Sequence, residues 1–281
     1  MSWSAETKMR RDSGVSWLLL GCLLFLRFPW IMLGKFVFPE EAMEFTVIYE
    51  LGTYLLTGLL ILIERSRLAE YHIDMLALAL LLGAPLSVLI GTAMGGYGLP
   101  GGQEGKAVLA GLLLFALVLW RPVLPQQRVE QTALHIGAAV LTGAALAVVS
   151  GFLLAFQIPS VTEGTAEALS VGRSLYAVVY QLDFAAVAEE PLFRGFLWGK
   201  LRARGWKESR IWLFQALLFV VGHLYYVGSA NISAFLVVPL GALILGLSAW
   251  RTRSVGTSMI AHGITNAFGN TLAHVFCGIV R

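Results

Sequence analysis

Charge is scarce in this chain. Asp, Glu, Lys and Arg make up 13% of its 281 residues and hydrophobic residues 57%, whereas soluble domains carry about 25% charged residues. A soluble globular domain is excluded, and a polytopic membrane protein of one domain is expected. The net charge of +3 is small and dispersed, which excludes a nucleic-acid partner. Only Cys22 and Cys277 are available for disulfide chemistry, and the topology below sets them toward opposite membrane faces, too far apart to bridge. The first apolar run holds Arg27 and Pro29 and lacks a small-residue cleavage site, so no cleavable signal peptide is expected. No H-E-x-x-H is present. The glycine-rich stretch 95–102 has no preceding strand and no following lysine–serine pair, so it reads as a turn rather than a phosphate loop. With no cofactor motif, no cofactor and no resident metal are expected.

What the chain has instead is long apolar runs, at about 17–37, 44–63, 73–94, 106–120, 133–156, 171–199, 211–228, 232–250 and 256–276. A span takes roughly 20 residues, so the fold class is an all-α transmembrane helical bundle of eight to nine spans, eight if the first run turns back at Pro29. Basic residues sort between alternate loops. Fourteen, including Arg65, Arg67, Lys200, Arg202, Arg204 and Lys207, fall on one side, against Lys35, Lys106, Arg173 and Arg281 on the other. The positive-inside rule then places the N-terminus in the cytoplasm and the C-terminus outside. The linker 158–172 separates N-terminal membrane helices, 1–160, from a C-terminal core, 161–281, within one integrated membrane domain.

The C-terminal part keeps ionisable groups inside its apolar runs, and such groups, costing roughly 3 kcal/mol each on insertion scales, mark functional sites. Glu189, Glu190 and Arg194 lie in the sixth run, Phe219 and His223 in the seventh, His262 and Asn266 in the last. A spacing of four puts both members of each pair Glu190/Arg194, Phe219/His223 and His262/Asn266 on one helix face. Glu189, about 100° round from Glu190, points elsewhere. At 1.5 Å per residue Glu189 lies about 16 Å from the cytoplasmic end of its span, His223 about 18 Å and His262 about 9 Å, which allows them to meet in a cavity open to the cytoplasmic half. Singly, each has a plainer reading: an ion pair bracing a helix, an interhelical histidine or amide bond, a phenylalanine shaping a wall. Together they make a site. His72, His135 and His274 are read as interfacial, Asp183 as a second-tier candidate on the face of Glu190, and Glu50 as a weaker one. Pro191 removes a backbone hydrogen bond from Val187 and predicts a local opening beside the carboxylates.

The ordered set E-E-x-x-x-R, F-x-x-x-H and H-x-x-x-N, read here as Glu189 to Arg194, Phe219 to His223 and His262 to Asn266, resembles the CPBP group, the CAAX prenyl proteases of the Rce1 type and their bacterial relatives. The resemblance spans about residues 171–270. It implies an intramembrane endopeptidase in which Glu189 and His223 hold and deprotonate the attacking water. His262 and Asn266 would stabilise the oxyanion, and Glu190 and Arg194 would fix the geometry or bind the substrate chain. Such hydrolysis needs a well-placed base and preorganised donors. It also implies a membrane-anchored or C-terminally processed protein substrate within the lipid bilayer; short outer loops favour a bacterial inner membrane. Two other readings stand beside it: a zinc metalloprotease, since Glu and His are zinc ligands, and a non-catalytic scaffold or immunity protein.

Overall fold

The apolar runs all coincide with helices in the computed structural model, which describes residues 3–93, 103–119, 121–124, 128–157 and 171–280. The 95–102 turn and most of the linker lie outside the described residues, which contain no strand. In chain order the helices are α1 (Trp3–Phe25), α2 (Ala42–Ile63), α3 (Met75–Ala93), α4 (Gln103–Leu119), α5 (Val129–Ala155), α6 (Val171–Gln181), α7 (Val187–Glu190), α8 (Trp198–Ala203), α9 (Glu208–Val221), α10 (Val238–Thr252) and α11 (Val255–Val280). The rods α6–α7–α8 form one continuous helix, joined by π turns at Leu182–Ala186 and Pro191–Leu197. Helix α1 likewise runs on through π turns at Leu26–Trp30 and Leu33–Val37, so the first run does not turn back at Pro29. Four helical stretches are long and apolar enough to cross a membrane: Gly14–Val37, Ala42–Ile63, Val129–Ala155 and Ser233–Thr252. The 26-residue α11 falls outside that set, carrying His262, Asn266, Asn270 and His274 along its length.

Close packing sets the frame of the core. Helices α5 and α11 run side by side, and glycines let them touch. A Cβ on Gly143 would come 2.8 Å from the Ala261 carbonyl oxygen and from Ile264 Cβ, and one on Gly151 would come 2.7 Å from Leu272 Cβ. With no lipid-derived hydrophobic force between helices, such close backbone approach supplies the attraction. Thr265 Oγ1 donates to its own helix at Ala261 O, 2.7 Å, which satisfies that hydroxyl within the interface. Cys22 is exposed and Cys277 is buried, and no disulfide joins them.

Three buried ion pairs join the first 160 residues to the C-terminal helices. Arg27 of the first rod reaches Glu189 at 2.5 Å, Lys106 of α4 reaches Asp183 at 3.4 Å, and Lys200 of α8 reaches Glu64 at 2.5 Å. Two of these cations sit in places the sequence reading assigns to loops. Lys106 is buried inside α4 and Lys200 inside α8, each because a carboxylate on a neighbouring helix repays the cost of burying it. Taking both out of the loop tally leaves the basic asymmetry in place.

Candidate active site

The two adjacent carboxylates have different surroundings. They end the short α7, and Pro191, lacking an N–H, opens the seven-residue π turn that follows. Glu190 is fully buried. Its Oε1 accepts a hydrogen bond from His262 Nδ1 at 2.8 Å and lies 3.3 Å from Arg194 Nη1. The Arg194 guanidinium stacks over the Phe219 ring, 4.3 Å from its centroid, so an acid and an aromatic face together offset its burial. Phe219 also packs against the His223 ring, centroids 4.4 Å apart. It is thus the wall between the buried ion pair and the open site.

Glu189 faces a cavity of about 470 Å³. His223 Nε2 stands 3.6 Å from its Oε1 and His262 Nε2 stands 3.8 Å from its Oε2. The carboxylate therefore lies between two imidazoles. His223 Nδ1 is 2.7 Å from the Phe219 carbonyl oxygen, which only accepts, so Nδ1 carries the hydrogen and Nε2 is the unprotonated nitrogen. His262 has its Nδ1–H held by Glu190 and its Nε2 turned to the cavity. One helical turn further along α11, Asn266 lines the same cavity and donates from Nδ2 to Gln181 Oε1 at 3.2 Å. All seven candidate residues are accordingly in one neighbourhood: Glu189, Phe219, His223, His262 and Asn266 on the cavity wall, Glu190 and Arg194 directly behind it.

The cavity lies in the other half of the bundle from that expected. Its far wall is made of Ser150 near the C-terminal end of α5, Tyr180 on α6, Tyr226 and Ser233 on the connection between α9 and α10, and Asn270 on α11. On every one of these elements, the lining runs from the glutamate away from the basic Lys200–Arg210 loop. Depth counted from one helix end places a side chain along its span but does not say on which side of it the helices part.

Over residues 171–268 the chain matches the family model described as type II CAAX prenyl endopeptidase Rce1-like. These helices resemble that family. The match supports the CPBP group, a family of proteases, and with the long apolar helices it indicates an integral membrane protein. No curated protein and no solved structure gave a match.

The Rce1-like segment does not supply the whole site. Arg27, from the first rod, donates from Nη2 to Glu189 Oε1 at 2.5 Å and lies over the His223 ring, 2.8 Å from Nε2 and 3.3 Å from Nδ1. The sequence reading noted Arg27 as a base within a span and gave it no role. The signal was present, since a buried cation needs a buried acid and Glu189 had no basic partner on its own helix. Gln181 was missed as well, with nothing in its surroundings to single it out. Asp183 does not join the site. The π turn at Leu182–Ala186 shifts the helical phase that put it on the face of Glu190, and its carboxylate instead meets Lys106 and accepts from Tyr54 Oη at 3.0 Å. Glu50 belongs with that second cluster. Among the described residues, no group of three or more His, Cys, Asp or Glu side chains is placed to hold a metal ion.

Proposed function

We propose that this protein is an intramembrane endopeptidase that uses Glu189 to activate water. The observation that carries this reading is the division of labour between adjacent acids. Glu190 is locked behind the wall by Arg194 and His262, while Glu189 looks into a cavity of ligand size with an imidazole on each side. In the reaction, a water held by Glu189 and His223 Nε2 loses a proton to the carboxylate as its oxygen attacks the scissile carbonyl carbon. His262, as an imidazolium whose Nδ1–H is paired with Glu190, donates to the oxyanion from Nε2–H, and Asn266 donates its free N–H. When the tetrahedral intermediate collapses, the C–N bond breaks and the proton taken up by Glu189 passes to the leaving amine. Glu190 and Arg194 keep the His262 ring and the helix in place, acting as positioning groups, and Phe219 shapes the wall.

The substrate on this reading is a membrane-associated protein or peptide, in keeping with the CAAX proteases whose model matches. We read the span number as nine, the N-terminus as cytoplasmic and the host membrane as a bacterial inner membrane. Residues 1–160 and 161–281 act as one catalytic unit, a reading supported by the three ion pairs that join them. The test is cleavage of tagged, membrane-anchored peptides by the reconstituted protein. Cleavage that survives phenanthroline and disappears with Glu189→Ala supports the proposal. Cleavage abolished by the chelator and restored by zinc overturns it in favour of a metalloenzyme. Cellular function that persists in Glu189→Ala assigns the protein to a non-catalytic scaffold.

A further inference from the structure

Arg27 holds the oxygen of Glu189 that the attacking water would use. The acceptors for that water, Glu189 Oε1 and His223 Nε2, are 3.6 Å apart. Arg27 Nη2 donates to Oε1 at 2.5 Å and lies over the face of the His223 ring, 2.8 Å from Nε2 and 3.3 Å from Nδ1. The cation thus takes a lone pair of the oxygen that would receive the water's proton and covers the histidine beside it.

The arginine has somewhere else to go. A second cavity, about 250 Å³, adjoins the guanidinium, lined by Arg27 itself with Lys35, Thr46, Tyr49, Tyr225 and Glu189. Glu189 and Tyr225 border both cavities, and Arg27 borders only the second. The rings of Tyr49 and Tyr225 lie 6.0 and 5.8 Å from the guanidinium carbon, a surface on which a cation can rest without an acid partner. The backbone that carries Arg27 is itself irregular. It sits in the π turn Leu26–Trp30, which contains Pro29, so the hydrogen-bond ladder is already interrupted there. The Nε of the head group is buried and has no hydrogen-bond partner in this arrangement, an unsatisfied donor that costs free energy while the side chain is held at the glutamate.

We propose that Arg27 is a latch: paired with Glu189 it occupies the oxygen that would take the water's proton, and withdrawn into the second cavity it frees that oxygen. The resting enzyme is thus autoinhibited by its own first helix, which lies outside the Rce1-like segment, and turnover draws on the fraction of molecules with the latch withdrawn. The inference rests on Glu189 being the base. Loss of the latch should therefore raise turnover, whereas a bracing residue would lower it.

The experiment uses the full-length protein in detergent or liposomes and reads two things, peptide cleavage and the rate at which dicyclohexylcarbodiimide modifies Glu189, followed by mass spectrometry. Arg27→Gln is expected to speed modification of Glu189 and to raise kcat, each several-fold, with Arg27→Lys between it and the wild type. Thr46→Trp, which puts bulk into the second cavity from its exposed rim, is expected to lower kcat several-fold and to leave modification at or below the wild-type rate. Modification of Glu189 that is unchanged or slower in both Arg27 variants would overturn the latch, as would undiminished turnover in Thr46→Trp. If Arg27→Gln does not fold, the Arg27→Lys and Thr46→Trp results decide. If no form of the protein cleaves peptide, the hydrolytic reading fails, and the labelling rates still decide whether Arg27 covers Glu189.

Discussion

A methyl group added at Gly143 should disable the site without touching it. Gly143 lies on α5 where the helix presses against α11, and its Cβ would stand 2.8 Å from the Ala261 carbonyl oxygen and from Ile264 Cβ. Neither obstacle can swing away, one being backbone and the other the branch point of a side chain. To bring both to the 3.4 Å of ordinary contact, the helices must move apart or slide by more than half an ångström locally. Overpacking of this kind costs about 1–3 kcal/mol. The displaced turn of α11 carries His262 next to Ala261 and Asn266 one turn on, the two proposed oxyanion donors, and a misplacement near 1 Å in a reacting site can cost about 10²-fold in rate. Gly143→Ala should therefore lower cleavage by roughly one to two orders of magnitude while the protein still folds with a reduced unfolding temperature. Gly137→Ala, on the same helix with nothing within 4 Å of its Cβ, is the control and should match or exceed the wild type in both measurements. If Gly143→Ala and Gly137→Ala behave alike, helix contact does not position the donors and the reasoning fails.

Glu190→Gln leaves Arg194 buried without its acid and should destabilise the fold by about 3–5 kcal/mol, visible as loss of monodisperse protein on heating, while Glu189→Gln keeps a near-native unfolding temperature. Asp183→Asn and Lys106→Met should each be costly and the double substitution much less so, because removing both charges leaves no uncompensated ion; additive losses in thermal unfolding would show that the pair is not coupled. At the basic rim, burial and the neighbouring Arg202 push the His72 imidazole down to about 4. The unfolded chain takes up that proton near pH 6.5 and the folded protein does not until about pH 4, so stability should decline as pH falls through that window. The decline should be shallower in His72→Asn, as read from unfolding temperature between pH 7 and 5.

The parts of this protein legible in the sequence were those governed by single-helix periodicity and by transfer cost. Apolar runs located the helices, and the spacing of four in Glu190/Arg194 and His262/Asn266 marked faces that the fold keeps. Helical phase also separated Glu189 from Glu190, which the structure shows as one carboxylate on a cavity wall and one behind it. What was not legible depended on neighbours. Lys106 and Lys200 looked like loop charges because nothing in one chain segment shows that Asp183 and Glu64 wait on other helices. The partner of Arg27 lies 162 residues away. Asp183 was misplaced for a local reason, since a π turn carries an extra residue and breaks the 3.6-residue phase on which the expectation rested. The side on which the cavity opens is set by how whole helices splay, and no periodicity encodes that.

The most direct test of the account is the rate at which a Glu189→Gln protein cleaves a membrane-reconstituted peptide under single-turnover conditions, beside a Glu189→Asp protein. Glutamine preserves the shape and the hydrogen-bonding reach of the side chain but cannot take a proton from water. The account predicts a fall of about 10²–10⁴-fold, the usual contribution of a general base, with partial recovery in Glu189→Asp and an unchanged fold. Cleavage by Glu189→Gln within a few-fold of wild type would contradict it.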